Sequence, residues 1–299
     1  MQTMLYIASG IILSLLILAE ITIRFFFKSP ELRQRLNTWW GLTAVLLSTI
    51  LLQGQWVAVL WGAISFFALR EYVSLIPLRQ ADRPALWACF LSIPLQYYWV
   101  ATQWYGMFII FIPVYMLLIL PLLLMIGGQT QGFLHAAGRL HWGLMITVFS
   151  VSHAAFLQRL SNDSNVGAAL LLCLLFLTAF NDIAQYVWGK SVGRHKITPH
   201  ISPNKTWEGF LGGVLSTTLL MMFIAPYLTP LTRLEALAAG LIIGVGGFFG
   251  DLSISAIKRD VGIKDSGNAL PGHGGILDRL DSLMFTAPLF FHFVRYFHF

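Results

Sequence analysis

Long, continuous apolar stretches separated by short polar segments dominate the chain. A membrane-spanning helix needs about 20 mostly apolar residues, whereas a membrane β-strand would show alternation. The pattern predicts ten spanning helices, at residues 4–24, 39–53, 56–76, 86–101, 104–126, 139–158, 167–188, 208–228, 234–254 and 277–297. Nine is the alternative, because only Gln53, Gly54 and Gln55 separate two short spans. We therefore expect an all-α polytopic membrane protein of about nine to ten transmembrane helices with a cytosol-facing polar cavity.

Composition agrees with this pattern. Hydrophobic residues make up 57% of the 299 positions and charged residues only 11%, against about 25% charged in a soluble domain. Such a chain cannot cover a water-facing surface, so a soluble globular domain is excluded. Cys89 and Cys173 lie inside apolar stretches without CxxC spacing, and we expect both to be packing residues.

The net charge of +6 reflects topology rather than nucleic-acid binding. In a ten-span arrangement all Lys and Arg side chains fall on one side except Arg159, Arg233 and Arg295. The positive-inside rule then places the crowded side in the cytosol and both termini outside. We expect an integral protein of the bacterial inner membrane with no nucleic-acid partner.

Two long polar loops, 189–207 and 255–277, are the places where a hydrophilic site could form on the expected cytosolic side. The chain is therefore expected to divide into N-terminal anchoring and packing helices at 1–165 and a catalytic transmembrane region at 166–299.

Four carboxylates lie within or at the ends of predicted spans: Asp182, Asp251, Asp278 and Asp281. Such positions are costly in a membrane and usually functional. Asp278 and Asp281 are three residues apart, so a helix would bring them to one face. Oxygen-only ligands of this kind suit Mg²⁺.

The alternative for Asp278 and Asp281 is a helix cap, paired with Arg279 or Lys258. Their surroundings favour a functional site, because a cationic run is followed by His273, Gly274 and Gly275 directly before Asp278. Glycines there allow backbone N–H groups to approach an anion. For His273 we favour a structural or phosphate-orienting role over that of a base.

The other loop combines cations with small residues, from Gly189 to Lys196 and from Ser202 to Gly209. It lacks the spacing of a P-loop, and no parallel sheet is expected to present one. A soluble ATPase is therefore excluded. The loop suits a triphosphate or a lipid phosphate.

The run from Ser255 to Asp281 closely resembles the hallmark of the phosphatidate cytidylyltransferase (CDP-diacylglycerol synthase) family. The resemblance extends upstream through 202–209 to the helix around Asp182. One departure is Gln185 before Tyr186, where the family usually has Ala, and it fits a divergent bacterial paralogue as well as the housekeeping enzyme.

The resemblance implies a transferase of phospholipid biosynthesis that converts CTP and phosphatidic acid to CDP-diacylglycerol and pyrophosphate. Its implied metal ligands are Asp182, Asp251, Asp278 and Asp281, holding Mg²⁺ with room for a second, monovalent cation. The residues with implied catalytic roles are Lys264, Asp265, Asp278 and Asp281. The residues implied to bind phosphate or nucleotide are Ser202, Lys205, Thr206, Lys258, Arg259, His273, Gly274, Gly275 and Arg279.

Three alternatives stay open at this point. A CTP-dependent lipid kinase of the polyprenol or phytol kinase type would transfer the γ-phosphoryl group instead. A cation-coupled transporter would use the intramembrane carboxylates for ion binding, and a scaffold would keep the fold without turnover. The acyl preference, the exact lipid acceptor and homodimer formation are not fixed by the sequence.

Overall fold

A computed structural model describes residues 2–27, 40–41, 43–44, 47–49, 52, 54–264, 266–267 and 274–299. Its helices are α1 (Gln2–Thr22, continued by a π-helical turn Ile23–Phe27), α2 (Gln55–Leu75), α3 (Arg83–Ala101), α4 (Tyr105–Ile126), α5 (Phe133–Gln158), α6 (Ser164–Val192), α7 (Trp207–Leu228), α8 (Arg233–Asp260), α9 (Leu277–Leu280) and α10 (Leu283–His298). A 3₁₀ turn at Gln80–Asp82 precedes α3, and the strands β1 (Lys196–Thr198) and β2 (Ser202–Thr206) lie between α6 and α7.

Six of the described helices are long and apolar enough to cross a membrane: α2, α4, α5, α6, α7 and α8. Each coincides with a predicted span. The structure also places α1, α3 and α10 where spans were predicted, whereas most of the predicted span 39–53 lies outside the described residues. A predominantly helical membrane protein is thus confirmed, whereas nine to ten spans and a cytosol-facing cavity remain predictions.

Two differences from the predicted pattern affect the polar loops. The predicted loop 189–207 contains the end of α6 and a two-stranded antiparallel hairpin, with Lys196 opposite Thr206 and Thr198 opposite Ser202. The predicted loop 255–277 begins inside α8, which continues to Asp260. Both helices therefore extend beyond their apolar segments, and they carry polar side chains on regular backbone.

Side-chain caps define where the long helices of the C-terminal half begin. The Thr206 hydroxyl accepts a hydrogen bond from Gly209 N at the start of α7. Thr232 and Glu235 form a capping box at the start of α8. These caps satisfy N–H groups that have no partner within the helix.

The core joins the two halves of the chain. Phe108 on α4 packs with Phe156 on α5 and Phe291 on α10, at centroid distances of 4.7 and 6.0 Å. His153 lies fully buried beside these rings, and its Nδ1 is 2.8 Å from the carbonyl oxygen of Phe149. Cys89 and Cys173 are buried and free, as expected for packing residues.

Gly240 allows α8 to pack closely against α7. A Cβ at Gly240 would lie 2.6 Å from the Thr218 Cα, so backbone would have to move. We expect Gly240→Ala to lower the free energy of unfolding by about 1–3 kcal/mol, the usual cost of overpacking. Thermal unfolding in detergent measures this change.

Gly138→Ala on α5 is the matched control, because a Cβ there meets nothing within 4 Å. It should leave the midpoint unchanged or raise it slightly, since alanine favours helix. Equal midpoints for the two variants would contradict the close α7–α8 contact.

Candidate active site

The β-hairpin folds back on the start of α7. Glu208 accepts a hydrogen bond from Arg194 N at 3.0 Å, and its Oε1 is 2.6 Å from His195 Nδ1. Trp207 N donates to the carbonyl oxygen of His195 at 2.9 Å. These contacts hold the hairpin against α7. Because Lys205 belongs to β2, they also set the position of Lys205.

Lys205 connects the hairpin with α6 and α8. Its Nζ lies 2.6 Å from Asp251 Oδ2 and 3.4 Å from Gln185 Oε1. The ammonium group also lies 5.0 Å from the centroid of the Phe248 ring. Both charged side chains are largely buried, at 17% exposure for Lys205 and 29% for Asp251. Gln185, the residue at which this chain departs from the family pattern, therefore contacts Lys205, a predicted substrate-binding residue.

Three of the predicted carboxylates converge from separate elements. Ser282 Oγ donates to Asp182 Oδ1 at 2.9 Å, and Ser282 N donates to Asp281 Oδ1 at 2.8 Å. Asp182, Asp251 and Asp281 are close enough to repel one another electrostatically. Because like charges raise the energy of a partly buried site, this arrangement favours a cation between them.

Gly250 makes this convergence possible. A Cβ at Gly250 would lie 2.9 Å from the Ser282 Cα and would overlap the Asp281 carbonyl oxygen. The absence of a side chain lets α8 approach the α9–α10 junction. Asp251 is the next residue, so this contact brings it beside Asp281. It lies well inside α8 rather than at its end.

Asp278 has different partners from Asp281. Its Oδ1 lies 2.7 Å from Lys258 Nζ, and its Oδ2 accepts hydrogen bonds from Ser266 N at 3.0 Å, Ser266 Oγ at 2.9 Å and Gly275 N at 3.1 Å. Spacing alone predicted one shared face for the two carboxylates. In the structure Asp278 binds residues of the segment 261–276 between α8 and α9, called the signature loop here, of which 261–264, 266–267 and 274–276 are described. Asp281 faces the other two carboxylates.

The remaining predicted site residues have separate positions. Arg259 joins the two loops, donating through Nε to the carbonyl oxygen of Ile201 at 3.2 Å. Thr206 is buried in its capping role, Ser202 begins β2, and Lys264 and Arg279 are exposed. Gly274 has a φ of +78°, which favours glycine. Asp265 and His273 lie outside the described residues.

Among the described residues, no three or more Asp, Glu, His or Cys side chains are placed to hold a metal ion together. The donor chemistry still suits Mg²⁺, because the converging side chains offer only carboxylate and hydroxyl oxygens. Mg²⁺ is usually held by one or two carboxylates together with substrate phosphates, so a closed protein cage is not required. The four-aspartate metal set remains a prediction.

Glu71 is a site residue that our sequence reasoning missed. It lies on α2, and it accepts hydrogen bonds from Ile276 N at 2.8 Å, Leu277 N at 3.1 Å and the Ser266 hydroxyl. A signal was available, because Glu71 is a carboxylate within the predicted span 56–76. Asp182 was selected because a carboxylate within a membrane span is costly and usually functional, and the same reason applies to Glu71.

The Lys258–Asp278 pair can be tested by a double-mutant cycle. Each of Lys258→Met and Asp278→Asn should destabilise the protein, because each leaves the other partner without its counter-charge in a partly buried place. The double variant should be less destabilised than the sum, by about 0.5–3 kcal/mol, as found for contacting residues. Denaturant unfolding in detergent gives the four free energies.

A control cycle combines Lys258→Met with Glu235→Gln at the opposite end of α8, where additive effects are expected. If the changes in unfolding free energy caused by Lys258→Met and Asp278→Asn also add, the ion pair does not form in solution.

Comparison with known proteins places this site in context. The family model described as "Cytidylyltransferase family" matches residues 33–297. The uncharacterized protein YnbB of Escherichia coli K12 is 47% identical over 291 residues, which cover 95% of this chain and 96% of YnbB. A phosphatidate cytidylyltransferase of Synechocystis sp. is 44% identical over 137 residues, and one of Staphylococcus haemolyticus is 42% identical over 126 residues. These two matches cover 46% and 48% of those enzymes, that is, less than half of each. The match over most of its length shows that the chain belongs to the cytidylyltransferase family, as the signature run had indicated.

Proposed function

We propose that this protein transfers a cytidylyl group from CTP to phosphatidic acid, giving CDP-diacylglycerol and pyrophosphate. One observation carries the proposal: lysines of β2 and α8 pair with carboxylates of α8 and α9, through Lys205–Asp251 and Lys258–Asp278, and Asp251 and Lys258 lie two turns apart along α8. A site with both signs of charge can bind phosphates through its lysines and a divalent cation through its carboxylates. Membership of the cytidylyltransferase family supports CTP as the donor.

The reaction requires little proton chemistry. An ionised oxygen of the lipid phosphate attacks the α-phosphorus of CTP, forming the new P–O bond as the bond to the β-phosphate oxygen breaks. Pyrophosphate leaves with that electron pair. Because the nucleophile is already an anion, the site must position two polyanions and reduce their repulsion. Lys205, Lys258, Arg259 and Lys264 supply positive charge for this task.

Mg²⁺ is part of the proposal, with Asp251 and Asp281 as its central ligands and Asp182 and Asp278 beside them. When bound, the cation would offset charge that develops on the pyrophosphate leaving group. Ser255 Oγ and Ser282 N donate to Asp251 and Asp281, at 3.2 and 2.8 Å, and so orient both carboxylates. A second, monovalent cation and a homodimer belong to the same proposal.

An open apolar groove on the surface of the helix bundle supports a lipid acceptor. It has a volume of about 390 Å³ and lies between α8 and α10, lined by residues that include Val245, Phe249, Phe285 and Leu289. Phe249 and Phe285 lie close in sequence to Asp251 and Asp281. A lipid phosphate at the carboxylates could therefore keep its acyl chains among apolar side chains. We also propose that the carboxylates lie in a polar cavity that faces the cytosol and binds the headgroup of the lipid.

Product analysis tests the function directly. Purified protein with labelled CTP, Mg²⁺ and phosphatidic acid should release pyrophosphate and form a CDP-lipid, and a chelator should abolish both. Release of CDP with a phosphorylated lipid would identify a CTP-dependent lipid kinase instead. No consumption of CTP with any of a panel of phospholipid acids would contradict the proposal.

Asp251→Asn and Asp281→Asn should each lower turnover by about 100-fold or more, because they remove charge that holds the cation while keeping side-chain volume. Asp163→Asn is the matched control: Asp163 caps the distant start of α6 and asparagine caps equally well. It should retain normal turnover. Near-normal turnover in both site variants would remove these aspartates from the mechanism.

The proposed orientation can be tested by labelling single cysteines in intact cells, since the native Cys89 and Cys173 are buried. His195→Cys should resist an impermeant reagent, because the hairpin is proposed to face the cytosol. Asn162→Cys, in the exposed turn before α6, should react. The opposite pattern would place the site on the outer face, away from cytosolic CTP.

A further inference from the structure

Glu71 brings α2 into direct contact with the signature loop. Its Oε2 accepts from Ile276 N and its Oε1 from Leu277 N, at 2.8 and 3.1 Å. These N–H groups lie at the start of α9, where backbone donors have no partner within the helix. A carboxylate from a helix far away in the chain therefore satisfies the amides that immediately precede Asp278.

Ser266 extends this contact to Asp278. Its hydroxyl lies within hydrogen-bonding reach of both Glu71 Oε1 and Asp278 Oδ2, and its backbone N donates to the same Asp278 oxygen. A serine hydroxyl carries one hydrogen, so the two carboxylates share one donor. The position of Asp278 thus depends on where Glu71 holds Ser266.

Gly275 shows how closely the loop is packed around Glu71. A Cβ at Gly275 would overlap both Glu71 Oε1 and the Ser266 hydroxyl, and a Cβ at Gly267 would lie 3.3 Å from Glu71 Cδ. Gly275 N also donates to Asp278. Gly267 and Gly275 therefore leave room for one carboxylate, and Glu71 fills it.

A helix cap alone would explain the bonds to Ile276 and Leu277. It does not explain the shared hydroxyl or the cost of a carboxylate on a membrane-spanning helix. We propose that Glu71 is a positioning residue that holds the signature loop through Ser266, Ile276 and Leu277, so that Asp278 and the following Asp281 are correctly placed. The kinetic consequence rests on the proposed cytidylyl transfer, whereas the structural consequence does not.

The test compares Glu71→Gln with Glu235→Gln. Both glutamates accept backbone N–H groups at a helix start, but Glu235 lies at the far end of α8. Three quantities are measured for each variant: the unfolding midpoint, hydrogen–deuterium exchange of peptides covering 274–280 and 230–238, and kcat and KM for CTP. Ser266→Ala is added to test the shared hydroxyl.

Glu71→Gln should speed exchange at 274–280 by about tenfold or more, because glutamine presents N–H groups where an acceptor is needed. It should lower kcat by about 10- to 100-fold, the scale of a small misplacement of reacting groups, with KM for CTP changed less than about twofold. Ser266→Ala should shift kcat in the same direction by less. Glu235→Gln should affect only exchange at 230–238 and the unfolding midpoint.

Unchanged exchange at 274–280 in Glu71→Gln would overturn the inference. So would a raised KM with normal kcat, which would instead mean that Glu71 contacts substrate, or a lowered midpoint with normal kcat, which would mean a purely structural cap. If the unmodified protein forms no CDP-lipid, the proposed function fails, and the exchange data alone then decide whether Glu71 holds the loop.

Discussion

The balance of charge within the helix bundle is the constraint on which the rest of the site depends. Asp182, Asp251 and Asp281 are partly buried and lie close enough for their charges to oppose one another. A buried charge is tolerated when it is paired and hydrogen-bonded. Lys205 balances Asp251, and Ser282 donates to both Asp182 and Asp281. The β-hairpin and the long extension of α8 are the elements that deliver the balancing cations, Lys205 and Lys258.

Hydropathy located the helices, because within a membrane a helix is one of the few structures in which all backbone N–H and C=O groups form hydrogen bonds. The ends of α6 and α8 could not be found this way, since helix continues after the apolar residues stop. The hairpin was also missed, because its register depends on tertiary partners such as Glu208 and Arg259 rather than on alternation within a few residues.

At the site, residue types were easier to predict than partners. Charge scarcity singled out Asp182, Asp251, Asp278 and Asp281, and the structure brings three of them together. Spacing did not reveal that Asp278 binds Lys258 and Ser266 while Ser282 N donates to Asp281, because these partners come from tertiary contacts, whereas the backbone stays in the helical region through Asp281. The sequence pattern did not single out Glu71, because the family resemblance begins near Asp182 and does not reach α2.

The contact between Glu71 and Ser266 has a consequence for biogenesis, since 195 positions separate the two residues. When α2 enters the membrane during synthesis, the loop that will satisfy its carboxylate does not yet exist. Contacts between distant parts of a chain form late and slowly. Glu71 must therefore remain without its native partners until α8 and the loop after it have been made.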